Sequence, residues 1–220
     1  MAKRLVILGA PGVGKGTQAK IIEADYGWQH VSTGDMLREA MKNETSLGEK
    51  VKQFVETGDL VPDNLIVEMV GEYLGQKDQK EGFILDGFPR TVLQAEQLDG
   101  LLVNLNLALD GVISIDVPDE EIINRLSKRY LCETCGPVII NTKNGDHQPL
   151  CPNCKGKINR RKDDEPETVR HRLKIYNERT RSLINYYEGR KLLMHVDGIG
   201  TVDEIYKRVV SALENTSVSL

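Results

Sequence analysis

Aromatic side chains and long apolar runs are scarce in this chain of 220 residues, of which 5% are aromatic and one is Trp. Proteins that bind nucleic acid by base stacking need several rings on one surface, and this sequence supplies few. Its apolar runs are much shorter than the roughly 20 residues that cross a bilayer. Positive charge is not in excess either, because the net charge is −4. We therefore expect neither nucleic-acid nor membrane partners.

Cysteine is also scarce: there are four, and all of them lie between positions 132 and 154. The N-terminal residues lead directly into the apolar run Leu5–Leu8 and leave no room for a secretory signal. We therefore expect a cytoplasmic protein whose cysteines are thiols rather than disulfides. The length suits one substantial domain with small insertions.

Short apolar runs of strand type alternate with stretches of helix type. The runs are Leu5–Leu8, Phe83–Leu85, Val112–Ile115 and Leu192–Val196, with a weaker one at His30–Ser32. This alternation predicts a doubly wound α/β fold, in which helices cover both faces of a parallel sheet. Periodicity alone leaves the strand order open.

Helix signals divide the rest of the chain. Residues 32–61 contain capping residues and two short helices, which is more than a crossover between two strands needs. They therefore predict a small inserted subdomain. Further helices are expected at Pro118–Tyr130, Glu165–Gly189 and Val202–Leu213.

The most informative stretch is Gly9–Thr17, which follows an apolar strand and precedes a helix. This context and the spacing G-x-x-x-x-G-K are typical of a phosphate-binding loop. Glycines let backbone N–H groups turn toward one point, the helix N-terminus adds positive potential there, and Lys15 adds a full charge. A plain glycine-rich turn would leave Lys15 unexplained. In the common motif a magnesium-contacting Ser or Thr follows the lysine, whereas here Gly16 stands in that place and Thr17 follows.

A second apolar strand ends in Asp86. Beside a phosphate loop, this carboxylate would emerge at the loop and hold magnesium through water. The alternative is an ordinary turn or capping residue. The segment Gly87–Arg90 then places a cation at the same sheet edge, where open α/β sheets bind ligands.

The four cysteines form two pairs, Cys132-x-x-Cys135 and Cys151-x-x-Cys154, separated by fifteen residues. This is the spacing of a four-cysteine zinc site. Four thiolates leave no open coordination position, so we interpret the site as structural rather than catalytic. Iron and cobalt stay open as alternatives to zinc.

Four motifs together resemble the adenylate kinase family: Gly9–Gln18, Ser32–Met36, Asp86–Thr91 and Arg161-x-Asp163-Asp164. The resemblance covers nearly the whole chain, and the cysteine insert is similar to the family's long form with a zinc-bearing lid. It implies a P-loop core (1–31, 62–127 and 166–220), a nucleotide-monophosphate-binding insertion (32–61) and a lid (128–165). It also implies a monomer that catalyses ATP + AMP ⇌ 2 ADP with magnesium.

The resemblance implies roles for individual residues. It assigns ATP to Gly12, Val13, Gly14, Lys15, Gly16, Thr17, Arg129 and Gly200. It assigns AMP to Thr33, Arg38, Asp59, Leu60, Val61, Gly87, Phe88, Pro89, Arg90, Gln94, Arg161 and Arg172. It places Arg161 and Arg172 on the transferring phosphoryl group, and the catalytic set that it implies is Lys15, Arg90, Arg129, Arg161 and Arg172. It also implies a cis Phe88–Pro89 bond.

The lid departs from the family's pattern. The family often has polar residues with Tyr and His after the second cysteine, whereas Pro137–Ile140 are apolar here. We therefore expect ATP contacts from the backbone of Val138 and Ile139 rather than from their side chains.

Two other functions remain open at this point. One is a kinase for UMP or CMP. The amide of Gln94 favours AMP over these, because an amide can pair with the donor–acceptor edge of adenine. The other is a nucleotide-dependent switch that binds nucleic acid through its cysteine segment, which the shortage of aromatic residues there disfavours. Whether the acceptor is AMP or another monophosphate, the cations of the site would repel one another without substrate. We therefore expect an open resting state and closure of the lid over ATP.

Overall fold

The computed structural model describes residues 3–76, 82–134, 138–140 and 150–216. Its strands are β1 (Arg4–Leu8), β2 (Gln29–Ser32), β3 (Phe83–Asp86), β4 (Gly111–Asp116), β5 (Arg129–Cys132), β6 (Val138–Ile140), β7 (Ile158–Asn159) and β8 (Leu193–Asp197). Its helices are α1 (Lys15–Tyr26), α2 (Thr33–Lys42), α3 (Ser46–Thr57), α4 (Asp63–Gln76), α5 (Val92–Asn104), α6 (Asp119–Ser127), α7 (Pro166–Ile175), α8 (Ser182–Glu188) and α9 (Val202–Thr216).

The central sheet is parallel, with strand order β2-β3-β1-β4-β8. Strand β1 lies in the middle, so that Val6 pairs with Leu85 on one side and with Val112 on the other. Successive side chains of β1 enter two different buried clusters: Val6 packs in one, and Leu5 and Ile7 in the other. Both faces of the sheet are therefore covered, and the predicted doubly wound α/β fold is confirmed.

Two helices, α2 and α3, lie between β2 and α4, and we call them the helical insertion. The hydroxyl of Ser32 caps α2 by accepting from the backbone N–H of Asp35, and that of Thr45 caps α3 by accepting from Gly48. Helix α3 ends at Gly58, whose φ of 82° lies in the left-handed region. The predicted pair of short helices is confirmed.

A second, antiparallel sheet has the order β6-β5-β7, and we call it the cysteine-bearing sheet. Leu131 pairs with Val138 on one side and with Asn159 on the other. The prediction that a helix would run from Pro118 to Tyr130 is wrong at its end, because Arg129 and Tyr130 already belong to β5. Pairing with two distant segments outweighs the local helix signal there.

The long helix expected at Glu165–Gly189 is also not continuous. It consists of α7, a π-helical segment at Tyr176–Thr180, and α8. The last helix extends to Thr216 rather than ending at Leu213. The Phe88–Pro89 bond is cis, as expected. In the part of the chain that the structure describes, no helix is long and apolar enough to cross a membrane.

Candidate active site

The phosphate loop, Gly9–Thr17, joins β1 to α1 at the carboxyl edge of the sheet, where the strand order reverses. Gly12 has a φ of 86°, and a Cβ there would lie 2.7 Å from Leu126 Cγ. Only glycine fits that bend. Helix α1 begins at Lys15, so its first amides face the loop rather than a helical acceptor. The Lys15 ammonium donates to the carbonyl oxygens of Gly9 and Ala10 at 2.7 and 2.9 Å.

Asp86 ends β3, next to the phosphate loop. A Cβ at Gly16 would lie 3.2 Å from Asp86 Oδ2, so this carboxylate and the loop are close neighbours. A side chain at position 16 would have to displace this carboxylate by a few tenths of an ångström. His30 Nε2 lies 3.3 Å from Asp86 Oδ2, and the two side chains are 5% and 13% exposed. A carboxylate beside a phosphate loop is a suitable outer ligand for magnesium.

A cavity opens between the helical insertion and the sheet edge. Residues expected to bind the monophosphate line it, including Thr33, Arg38, Asp59, Leu60, Val61, Gly87, Arg90, Gln94 and Arg172. Phe88 differs from these, because its side chain is fully buried in the core. Pro89 lines an adjoining cavity that also contacts Lys15, Arg90 and Arg172. The two cavities therefore meet at cationic side chains.

Acidic residues lie among these cations. Arg129 Nε donates to Asp164 Oδ2 at 2.7 Å, and its Nη2 also contacts the same carboxylate. Arg172 Nη1 donates to Asp163 Oδ2 at 2.9 Å. The expectation of unopposed repulsion omitted these acids, both of which are buried.

Residues 161–164, which follow the cysteine-bearing sheet, contact the helical insertion. Arg161 Nη2 lies 4.0 Å from Asp35 Oδ1, which also accepts from Arg38 at 2.6 Å. The 3-10 turn Lys162–Asp164 packs against α3. The two regions therefore touch at this point through the shared carboxylate of Asp35. The open resting state and its closure over ATP stay predictions.

Burial shifts the pKa values of these groups. It lowers the pKa of Lys15 to about 8, and Asp86 opposes the shift. Burial, followed by the charge of Arg172, lowers the pKa of Arg90 to about 10. Burial and then the charge of Arg38 do the same for Arg161. For Asp86, burial favours a higher pKa, but the His30 hydrogen bond and the Lys15 charge outweigh it and hold the pKa below its usual range. Because these cations crowd one another, a bound polyanion would stabilise their charged forms.

The loop after β8 is fixed from two sides. Arg125 on α6 donates to the carbonyl oxygens of Gly198 at 2.9 Å and of Val13 at 3.4 Å, and so links this loop to the phosphate loop. Arg208 on α9 donates to the carbonyl of Asp197 at 2.8 Å. Gly200, with a φ of 122°, lies in the same loop.

The cysteine-bearing sheet brings three thiols together. The Sγ atoms of Cys132, Cys151 and Cys154 all lie within 4.8 Å of one another, and those of Cys132 and Cys154 are 3.5 Å apart. Around a tetrahedral zinc ion, neighbouring sulfurs are about 3.8 Å apart, so this geometry fits. The backbone N–H of Gly156 points at Cys154 Sγ from 3.4 Å. Cys135 lies outside the described residues.

Sequence reasoning missed several contacts of the site. Asp63 holds Gln94, Asp164 holds Arg129, and Arg125 joins two loops. Asp164 belongs to a motif that gives it no partner, Asp63 and Arg125 belong to none, and each of these contacts spans at least 31 positions. Of the predicted backbone contacts to ATP, Val138 and Ile139 lie in β6, paired with Leu131 and Tyr130.

Comparison with known proteins agrees with this geometry. A sequence model of the adenylate kinase family matches residues 7–192. The chain belongs to the adenylate kinase family. An adenylate kinase of Acetivibrio thermocellus is 47% identical over 98% of this chain and 100% of its own length. Those of Ruminiclostridium cellulolyticum and Kosmotoga olearia are 49% and 47% identical, each over 96% of this chain and 99% of its own length.

Membership in the adenylate kinase family makes this chain a phosphotransferase, which confirms the enzyme class and the activity predicted from the motifs. Adenylate kinases use magnesium with ATP, and Asp86 beside the phosphate loop is suitably placed for it. The family also decides against a nucleic-acid switch as the main function.

Proposed function

We propose that this adenylate kinase transfers the terminal phosphoryl group of ATP to AMP along the line that joins the phosphate loop to the cavity under the helical insertion. One observation carries the proposal. The cavity that holds Lys15 and the cavity that holds Thr33, Arg38 and Gln94 share Arg90 and Arg172 at their junction. Phosphoryl transfer needs two nucleotides in line and positive charge where phosphate charge develops.

On the ATP side, the backbone of Gly12–Thr17 and the ammonium of Lys15 would hold the phosphates. Lys15 then exchanges the carbonyls of Gly9 and Ala10 for phosphate oxygens. The adenine would lie against the loop containing Gly200. Magnesium, when bound, neutralises phosphate charge, and Asp86 would hold it through water.

On the AMP side, Arg38 and Arg90 would hold the phosphate and Thr33 and Gln94 the nucleoside. The backbone of Asp59–Val61 would close the cavity. Arg90 Nε donates to the carbonyl of Gly87 at 2.7 Å, which aims the guanidinium before substrate arrives. A fixed donor stabilises the transition state more than a mobile one does.

The remaining cations belong to the moving phosphoryl group. Arg129 lies in β5, Arg161 follows β7, and Arg172 lies in α7. We infer that residues 128–165 act as a lid that opens to admit ATP, and that phosphate oxygens replace the carboxylates of Asp163 and Asp164 as the partners of these arginines. A closed lid excludes the water that would hydrolyse ATP. Within the lid, Cys132, Cys135, Cys151 and Cys154 would hold a structural zinc ion.

A coupled assay tests the proposal directly. Magnesium ATP is supplied with AMP, UMP or CMP in turn, and AMP should be the best acceptor by a wide margin. Lys15→Met should lower turnover by about 100-fold to 1,000-fold while leaving the melting temperature nearly unchanged. Lys20→Met, an exposed lysine on the same helix, is the matched control. Normal turnover by the Lys15 variant, or a preference for UMP, would contradict the proposal.

A further inference from the structure

The amide of Gln94 has a protein partner at each end. Its Oε1 accepts from the backbone N–H of Arg90 at 2.7 Å, and its Nε2 donates to Asp63 Oδ1 at 2.6 Å. The hydroxyl of Thr91 donates to the other oxygen of Asp63 at 3.2 Å. Gln94 is 2% exposed and lines the cavity that holds Thr33 and Arg38.

Both partners require the same orientation of the amide. An N–H group needs an oxygen opposite it, and a carboxylate needs a donor. Turning the amide over would place the Gln94 nitrogen against the Arg90 N–H, and the Gln94 oxygen against the Asp63 carboxylate. Two favourable contacts would become two repulsive ones in a buried place. The direction of the amide is therefore determined by the chemistry of its neighbours.

Each end of this amide keeps half of its hydrogen-bonding capacity. A primary amide has two acceptor positions and two N–H donors, and the protein uses one of each. Gln94 therefore offers a ligand one acceptor and one donor in a fixed order. Adenine presents the complementary pair: an amino donor at position 6 and an acceptor at N1. Hypoxanthine presents the reverse, with an oxo acceptor at position 6 and a donor at N1, and uracil is reversed in the same way.

We propose that Asp63 is a specificity-determining positioning residue, which fixes the Gln94 amide so that the monophosphate site accepts a 6-aminopurine and rejects a 6-oxopurine. The inference rests on the proposed binding of AMP in this cavity. A site built to pair with one pattern rejects the reverse pattern strongly, because its own buried polar groups would be left unpaired. Cytosine has the adenine order, so the amide does not exclude CMP by this means.

A purely structural role for Asp63 is the competing explanation. It is the first residue of α4, where an acidic side chain stabilises the positive end of the helix. That role would affect the binding of every monophosphate alike. The ratio between two bases of equal size therefore separates the two explanations.

The test is Asp63→Asn, which keeps the shape and lets the side chain donate to Gln94 as well as accept from it. With ATP as donor, kcat/KM is measured for AMP and for inosine monophosphate (IMP), which are almost equal in size. We expect the AMP-to-IMP ratio to fall about tenfold, because one of the two contacts that fix the amide no longer opposes its reversal. The KM for ATP should stay constant. Glu68→Gln removes the same charge from an exposed position of α4 and should leave the ratio unchanged.

A fall in the ratio of less than about threefold, with both monophosphates affected alike, would overturn the inference while leaving the proposed function intact. Failure of the unchanged protein to phosphorylate AMP would instead overturn the proposed function. Should Asp63→Asn fold poorly in a thermal melt, Asp63→Ser retains a good helix-starting residue but is too short to hold Gln94, and the same shift in ratio is expected. Calorimetric binding of AMP and IMP without ATP should show the same change as the kinetics.

Discussion

The helical insertion and the cysteine-bearing sheet both border the site, but they are stabilised by different means. Leu37 and Val51 of the helical insertion belong to the same buried cluster as Leu85 and Phe88 of the core. In the cysteine-bearing sheet, the described buried cluster consists of Cys132, Cys151 and Ile158, with Tyr130 packed against it. One element therefore extends the main core, whereas the other has a core made largely of its own thiols.

This difference predicts how each element responds to a substitution or to the loss of a metal ion. A segment with few apolar side chains cannot offset the entropy of ordering its chain, and a bound metal supplies the missing stability. Its loss should unfold the segment locally. A destabilising substitution in a segment that shares the main core should lower the stability of the whole domain, because the segment and the sheet pack in one cluster.

The most disruptive change is the removal of the proposed metal. Chelation or Cys151→Ser should release one metal ion per chain, because Cys151 is fully buried among the ligands. Structural zinc sites contribute on the order of 10 kcal/mol to folding, so the cysteine-bearing sheet should unfold. Limited proteolysis should then cut within residues 128–165, while the rest of the chain resists. Turnover should fall steeply with rising temperature.

Restoring zinc after chelation should reverse the effect in the unchanged protein but not in Cys151→Ser. Metal analysis that finds no tightly bound ion would contradict the prediction. So would an unchanged cleavage pattern after chelation.

The second prediction concerns the helical insertion, where Val51 on α3 is fully buried. Val51→Ala should lower the free energy of unfolding by about 2 kcal/mol, because it removes buried methyl groups and leaves a small cavity. Urea unfolding should remain a single transition, since the insertion shares the main core. Val103→Ala, at an exposed position of α5, should change stability by less than about 0.5 kcal/mol. A separate, earlier transition for α2 and α3 would refute the shared core.

Local patterns allowed much of the fold to be predicted. Glycine spacing, apolar runs and capping residues act within a few positions, and they located the phosphate loop, the sheet class and the helical insertion. The end of α6 at Ser127 could not be predicted, because β5 exists through its pairing with β6 and β7. The π-helical segment at Tyr176–Thr180 likewise breaks a regular apolar periodicity without a proline or glycine to mark it.

The site divides in the same way. Lys15, Asp86 and the cysteine spacing follow from motifs. The motifs include Asp164 but not its partner, and they do not include Asp63, because the hydrogen bonds Arg129–Asp164 and Gln94–Asp63 join side chains 35 and 31 positions apart. Motif reasoning therefore gave the groups that we expect to face a ligand, and the structure was needed to find the side chains that hold them.

The third prediction concerns the end of the helical insertion at Gly58. A side chain at its φ of 82° is strained, and a Cβ would lie 2.6 Å from Arg172 Cγ. Gly58→Ala should lower stability by about 1–2 kcal/mol and displace Arg172, so that turnover falls about tenfold or more. Gly75→Ala on α4, where a Cβ would have no neighbour within 4 Å, should be neutral or slightly stabilising. Equal turnover in both variants would show that a side chain at position 58 does not displace Arg172.

The smallest expected effect comes from a surface pair that joins the loop after α3 to α7. His171 Nε2 lies 2.7 Å from Asp59 Oδ1, and the hydroxyl of Thr57 donates to the other oxygen at 2.7 Å. Both contacts, first that of Thr57 and then that of His171, hold the pKa of Asp59 below its usual range. The side chains of His171 and Asp59 are each 45% exposed, so the pair is worth less than about 1 kcal/mol.

Even so, the pair contacts the loop after α3, and Asp59, Leu60 and Val61 of that loop line the cavity that we propose for AMP. His171→Ala should therefore raise the KM for AMP by about twofold to fivefold and leave the KM for ATP and the melting temperature almost unchanged. His171→Lys keeps a hydrogen-bond donor near Asp59 and should restore part of the affinity. Lys174→Ala removes an exposed ion pair within α7 and the π-helical segment that does not involve the helical insertion, so it should leave both KM values unaltered. Equal rises in KM for the two nucleotides would show that His171 acts on α7 as a whole, because only a local effect on the helical insertion can separate AMP from ATP.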